Sequence, residues 1–222
     1  MNNMNNIEMN NIEIVKIKLD FFDTNCYMVY GNGIDFLIDP GSDSKKIIKY
    51  LDKRKKGPDF IIGTHCHFDH IGAADKVADY YNIPVYIHQN EEEILNNPGK
   101  NLSSFFNVNT LLLKTYKILY GMETKDFLSK KIDIITTPGH TPGSIIIRYA
   151  GYLFTGDLLF KDSIGRTDLP GGDSAKMKTS LSLLKTLDKN LIVLPGHGDE
   201  TTLEDELKNN YFLNNGDSED FN

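Results

Sequence analysis

Apolar and polar positions first alternate at residue 12. Residues 12–19 follow this period and are rich in Ile and Val, residues 26–30 are apolar and β-prone, and residues 34–38 form an apolar run ending at Asp39-Pro40-Gly41. Three strands are expected. Gly31-Asn32-Gly33 supplies the positive backbone angles of a short hairpin connection, which sets the second and third strands antiparallel. A helix follows. Ser42 or Asp43 caps it, Ile47, Ile48 and Leu51 form its apolar stripe, and Gly57-Pro58 stops it.

Residues 60–62 read as a buried strand whose end delivers Thr64 and a group of histidines into a loop. A helix over 72–81 and a strand over 85–87 come next. Between 90 and 131 the pattern is faint, and only a short helix at 91–96 and irregular structure around Asn97-Pro98-Gly99 are expected. Order returns with a strand over 132–135 and a hairpin of 144–149 and 152–155 about Ala150-Gly151. An amphipathic helix over 175–187, a strand over 191–194 and a closing helix over 203–212 complete the pattern. Strand, then Gly or Pro, then His or Asp recurs along the chain. This periodicity predicts an α/β chain with candidate side chains gathered along one edge of a sheet scaffold.

At 222 residues, 40% of them apolar, the chain can bury a sizeable core and reads as one domain over 12–213. The Asn- and Met-rich residues 1–11 and the polar, acidic residues 214–222 read as loose tails. A formal charge of −7 argues against a nucleic-acid groove, and Lys53-Arg54-Lys55-Lys56 reads as a solvated helix end. Cys26 and Cys66 are the only cysteines, so no disulfide framework suggests export. No apolar run is long enough to span a bilayer and no basic segment precedes an apolar one at the N-terminus, so a cytoplasmic setting without membrane association is expected.

Three of the six histidines fall within His65-Cys66-His67-Phe68-Asp69-His70. Packing does not account for that density, because buried imidazoles and carboxylates need partners to offset desolvation. A metal site does. In extended chain His65 and His67 point to one side and Cys66 to the other, while Asp69 and His70 turn towards a neighbouring position. His140 and His197, each after a glycine, complete two sets: His65, His67 and His140 for one ion, and Asp69, His70 and His197 for another. Asp157 is left as an ordinary turn residue or a carboxylate that bridges both ions. Asp39 is either the start of a Pro-Gly turn or an acceptor that orients a ligand imidazole. His88 fits neither set and reads as a residue near a helix N-terminus.

The motifs His65-x-His67-x-Asp69-His70, Thr137-Pro-Gly-His140-Thr-Pro-Gly-Ser144, Phe154-Thr-Gly-Asp157 and Pro195-Gly-His197 resemble, in order, those of the metallo-β-lactamase superfamily. More narrowly the chain resembles its glyoxalase II-like hydrolases. Asn25-Cys26-Tyr27, Asp39-Pro40-Gly41, Asn101-Leu102-Ser103-Ser104 and the segment from Gly165 to Asp173 add to the likeness, which spans about residues 12 to 213. It implies an αββα sandwich of two mixed sheets, with two divalent ions at one edge and a hydroxide bridging them. The ions implied are zinc first, then iron or manganese, since the donors are nitrogen and oxygen of intermediate softness. Asp69 would bind one ion and also orient the nucleophile or take up its proton. The substrate implied is a small acyl-thioester such as S-lactoylglutathione, because a thiolate of pKa roughly 8.5 leaves without a general acid.

The chain departs from full glyoxalase II after His197, where Gly198-Asp199-Glu200 follows and no C-terminal helical domain is expected. Arg166 falls where that enzyme contacts a glutathione carboxylate, and it can equally pair with Asp168 or Asp173. A mononuclear-iron persulfide dioxygenase and a non-catalytic metal or redox module share the fold and remain alternatives. A β-lactamase and a nuclease fit less well, for want of an export signal and of a basic surface. The oligomeric state is not legible.

Overall fold

Continuous apolar runs become strands covered on both faces, as every residue of Asn25–Tyr30, Phe36–Ile38 and Phe60–Ile62 is buried. The computed structural model describes residues 12–20, 22–31, 33–107, 113–121 and 123–214. Strands β1 (Glu13–Lys18), β2 (Asn25–Tyr30), β3 (Phe36–Ile38), β4 (Phe60–Ile62), β5 (Val85–His88) and β6 (Lys117–Leu119) form a six-stranded sheet in that order. Its first three strands are antiparallel and the rest parallel. Helices α1 (Ser44–Arg54), α2 (Phe68–Ile71), α3 (Ala74–Tyr81) and α4 (Glu92–Leu95) lie between its strands in sequence.

The second sheet uses β7 (Glu123–Phe127), β8 (Ile132–Thr136), β9 (Ile145–Tyr149) and β10 (Tyr152–Gly156). After the small hairpin of β11 (Leu159–Phe160) and β12 (Ser163–Ile164) and helix α5 (Ser174–Leu184), it is completed by β13 (Ile192–Pro195) and β14 (Thr201–Thr202). The spatial order is β14-β13-β10-β9-β8-β7, with β10 and β13 parallel. Helices α6 (Leu203–Asn209) and α7 (Tyr211–Asn214) follow.

Strand alternation sorts the apolar side chains into three layers. Leu37, Ile61 and Ile87 face Ile47, Leu51 and Val77 of α1 and α3. Tyr27, Phe36, Phe60 and Ile62 point the other way and meet Ile134, Ile145, Ile147 and Phe154 between the sheets. Phe36 stacks on Phe60 at 5.2 Å and takes Tyr149 edge-on at 5.5 Å. Ile135, Ile146, Leu153 and Val193 on the far face pack with Met177, Leu181 and Leu184 of α5 and Leu203 of α6. The result is the expected αββα arrangement, in which each large buried apolar side chain contributes roughly 1.5–3 kcal/mol. No helix among the described residues is long and apolar enough to cross a membrane.

Several expectations need correction. Helix α1 is capped by Asp43, whose side chain accepts from Lys46 N–H, but it ends at Arg54 because Lys55 turns left-handed (φ 55°), before Gly57-Pro58 is reached. The first residues of the expected 72–81 helix are a turn, and α3 begins at Ala74. The closing helix is two pieces, because the extended backbone of buried Asn210 breaks it while its amide binds Glu206 and the Ser163 carbonyl. Asn214, assigned to the tail, closes α7. Strands β6 and β7 were not expected: both are short edge strands, with no long apolar alternation to reveal them. Residues 1–11 and 215–222 and Asn32 of the first hairpin lie outside the described residues.

Candidate metal centre

The ends of four strands meet at one edge of the sandwich. His65 and His67 follow β4, and Asp69 and His70 ride on the single turn of α2. His140 lies between β8 and β9, Asp157 directly after β10 and His197 after β13. Among the described residues, three groups have candidate donor atoms within 4.8 Å of one another: His65, His67 and His140; Asp69, His70 and His197; and His65, His70 and Asp157. The structure therefore brings together all seven side chains singled out from the sequence. It also leaves out His88, which caps the turn at Gln89–Glu91 and approaches the Gly121 carbonyl.

Close backbone approach makes the convergence possible. A Cβ on Gly41 would lie 1.4 Å from the Asp69 carbonyl oxygen, so only glycine lets the Asp39-Pro40-Gly41 turn pass beneath α2. On Gly196 it would lie 2.5 Å from Asp157 Oδ1 and 2.7 Å from His70 Cε1. Asn25 holds the Gly196 segment, its side-chain amide donating to the Pro195 and Gly198 carbonyls at 3.0 and 2.9 Å.

Outer partners aim the imidazoles. His140 Nδ1 donates to the Arg166 carbonyl at 2.8 Å and His197 Nδ1 to the Phe22 carbonyl at 3.1 Å. Each Nε2 therefore presents a lone pair to the centre. Asp39 receives His70 Nδ1 at 2.9 Å, along with the Thr64 backbone N–H and hydroxyl, both at 2.7 Å. Asp39 thus both opens the Pro-Gly turn and accepts from the His70 ring. The alternation of the first turn also holds, with Cys66 fully buried against the helix layer.

The donor set suits a divalent cation. His140 Nε2 faces His67 Nδ1 at 2.9 Å, His197 Nε2 faces His70 Nε2 at 3.1 Å, and the buried His65 Nε2 and Asp157 Oδ1 have no hydrogen-bond partner. Opposed lone pairs and orphaned buried donors are costly unless a cation satisfies them. Burial and then the neighbouring His70 hold His65 well below the ordinary imidazole range, and burial followed by His140 lowers His67 to about 3. Burial opposes ionisation of Asp157, but His70, His140 and His197 outweigh it and hold its carboxyl well below the usual range. Burial likewise disfavours the His70 cation, yet Asp157, Asp69 and Asp39 push its pKa well up. Neutral His65 and His67 beside ionised Asp157 are in the protonation states that metal ligands require, and His70 would have to give up its extra proton to bind an ion.

Sequence reading missed Glu91, taken only as the start of an acidic helix. It is buried and accepts from Cys66, Thr141 and Gly143. No spacing marks it out from Glu92 and Glu93 beside it. Arg166 lies on the wall of a cavity of about 590 Å³ that opens on His67, Asp69, His140, Asp157 and His197. Its guanidinium is bound by Asp168 through two contacts of 2.6 Å.

Comparison with known proteins agrees with this architecture. Residues 19–197 match the profile of the Metallo-beta-lactamase superfamily. The Probable metallo-hydrolase YqgX of Bacillus subtilis is 36% identical over 194 residues, covering 86% of this chain and 92% of that protein. The Hydroxyacylglutathione hydrolase GloC of Haemophilus influenzae is 30% identical over 211 residues, covering 92% and 98%. The crystal structure of TTHA1623 in a di-iron-bound form superposes with a TM-score of 0.81 at 30% identity, covering 89% of this chain and 99% of that one. With fold, ordered motifs and a profile match over most of its length in agreement, the chain belongs to the metallo-beta-lactamase superfamily.

Proposed function

We propose that this protein is a metal-dependent hydrolase that cleaves a small acyl-thioester, in the manner of the glyoxalase II-like branch. His65, His67 and His140 would hold one divalent ion, Asp69, His70 and His197 a second, and Asp157 would reach both. The observation that carries this reading is the convergence of those donor groups with buried, unpartnered atoms on His65 and Asp157. Superfamily membership and the metallo-hydrolase relative support the metal-dependent hydrolase, and GloC supports the thioester. Zinc fits the nitrogen and oxygen donors, and so does iron, which the di-iron relative carries.

Bound divalent ions supply acidity, lowering the pKa of water towards neutrality and polarising a carbonyl oxygen. The chain's own residues supply position and proton transfer. Burial disfavours ionisation of Asp69, but His70 and His197 outweigh it and keep the carboxyl ionised, able to accept a proton from water. The Thr24 hydroxyl donates to Asp69 Oδ2 at 3.3 Å and fixes that carboxylate. Water adds to the thioester carbonyl, its proton passes to Asp69 and on to solvent, and the C–S bond breaks. The thiol departs with the bonding pair as a thiolate, whose conjugate acid has a pKa of roughly 8.5, so no general acid is needed.

Elemental analysis of purified protein combined with a thioester panel tests the reading. About two equivalents of metal and hydrolysis that persists without oxygen are expected. One equivalent of iron with oxygen consumption on glutathione persulfide, or turnover undiminished after chelation, would replace it.

A further inference from the structure

The cavity beside the donor cluster is walled largely by hydrocarbon. Phe22, Phe68, Phe105, Phe160, Ile164 and Leu169 line it. Phe22 and Phe105 are 50% and 68% exposed, so large aromatic surfaces face solvent at the cavity. The apolar wall continues inwards. Phe68 takes Phe22 edge-on at 6.0 Å, and Phe160 lies 5.9 Å from the His197 ring.

Charge is scarce on this wall. Arg166 is the one Lys or Arg among the described lining residues, and Asp168 already holds its guanidinium at two points. A glutathione arm carries two carboxylates and an ammonium, and each loses hydration on entering a site that offers it no free partner. An uncharged arm meets no such loss and gains by covering exposed aromatic surface.

We propose that the thioester carries an uncharged, hydrocarbon-rich arm, aryl or medium-chain alkyl, lying against Phe22, Phe105 and Phe160. This rests on the thioesterase reading above and names its substrate class. Either the acyl group or the thiol can supply the arm, since both flank the reacting carbonyl.

Two matched series on metal-loaded protein test the assignment. One lengthens the acyl group from acetyl to hexanoyl and phenylacetyl on neutral N-acetylcysteamine; the other keeps acetyl and changes the thiol from glutathione to phenylmethanethiol. kcat/KM is expected to rise about tenfold or more along whichever series supplies the arm. The double variant F22A/F105A, altered at two exposed positions, is expected to cut that rise about fivefold. A flat or falling kcat/KM in both series, or a rise untouched in the double variant, overturns the proposal. Calorimetry of phenylacetate, phenylmethanethiol and glutathione binding reads the cavity without turnover. Preference for the apolar compounds, weakened in the double variant, supports the assignment; equal or tighter glutathione binding refutes it. Should no thioester be hydrolysed while that preference persists, the thioesterase reading fails and takes the thioester with it, leaving only the cavity's preference for an uncharged, hydrocarbon-rich group.

Discussion

The carboxylate of Glu91 accepts the backbone N–H of Cys66 at 2.7 Å, from a position almost wholly shielded from solvent. Its other oxygen accepts from the Thr141 hydroxyl at 2.6 Å and the Gly143 N–H at 2.8 Å. One side chain thus fastens the turn bearing His65 and His67 to the loop bearing His140. Glu91→Ala would leave two buried N–H groups without an acceptor, at about 1–3 kcal/mol each. A fall in unfolding free energy of about 3 kcal/mol is expected, together with weaker metal retention. Denaturant titration checks the first part, and an unchanged midpoint would show that Glu91 fastens nothing.

The same residue predicts a pH dependence. Burial pushes the Glu91 carboxyl up to about 7, with the donors from Thr141, Cys66 and Gly143 restraining the rise. Its folded value lies above its unfolded one, so the folded state binds the extra proton. That contribution is fully present below the unfolded pKa and is lost as pH rises through about 7. Glu91→Gln does not titrate. The stability of wild type relative to this variant should fall by about 3 kcal/mol between pH 4 and 8. Parallel curves would contradict the assignment.

Asp157 takes part in close contacts with both sets, at 3.3 Å from His70 Nε2 and 3.4 Å from His140 Nε2. Asp157→Ala is therefore expected to lower metal content at both positions rather than one. Elemental analysis decides the matter, and wild-type occupancy would remove Asp157 as the bridge.

Asp39 touches no candidate position directly but receives His70 Nδ1. In Asp39→Asn the charge is gone and the amide cannot accept from His70 and Thr64 on both sides at once. Outer partners of this kind are worth about 10- to 100-fold in metal affinity. Competition with a chelator should show a loss of that order; affinity within a factor of about two of wild type would argue that His70 needs no such partner.

Asp168 occupies the guanidinium of Arg166 at the cavity wall. Asp168→Asn should release it for an anionic arm. KM for glutathione thioesters is expected to fall by up to about fivefold, with neutral thioesters unaffected, since removing a competing exposed pair returns about 0–1 kcal/mol. Equal changes for charged and neutral substrates would mean that Arg166 meets neither.

Local chain geometry made much of this protein legible in its sequence. Three histidines and an aspartate inside one turn have few structural explanations, and glycines before His140 and His197 announce backbone passing close to something. Continuous apolar runs marked the central strands because both of their faces are covered. Tertiary structure alone decided what depends on phase and on partners distant in sequence. Glu91, Glu92 and Glu93 are identical as letters, yet packing against the His140 loop buries the first. Arg166 had two candidate carboxylates, and the turn gave it Asp168. Strands β6 and β7 exist only because a sheet edge was there to pair with. The apolar cavity wall joins Phe22, Phe105 and Phe160 across the chain, and no period links residues whose neighbourhood is made by folding.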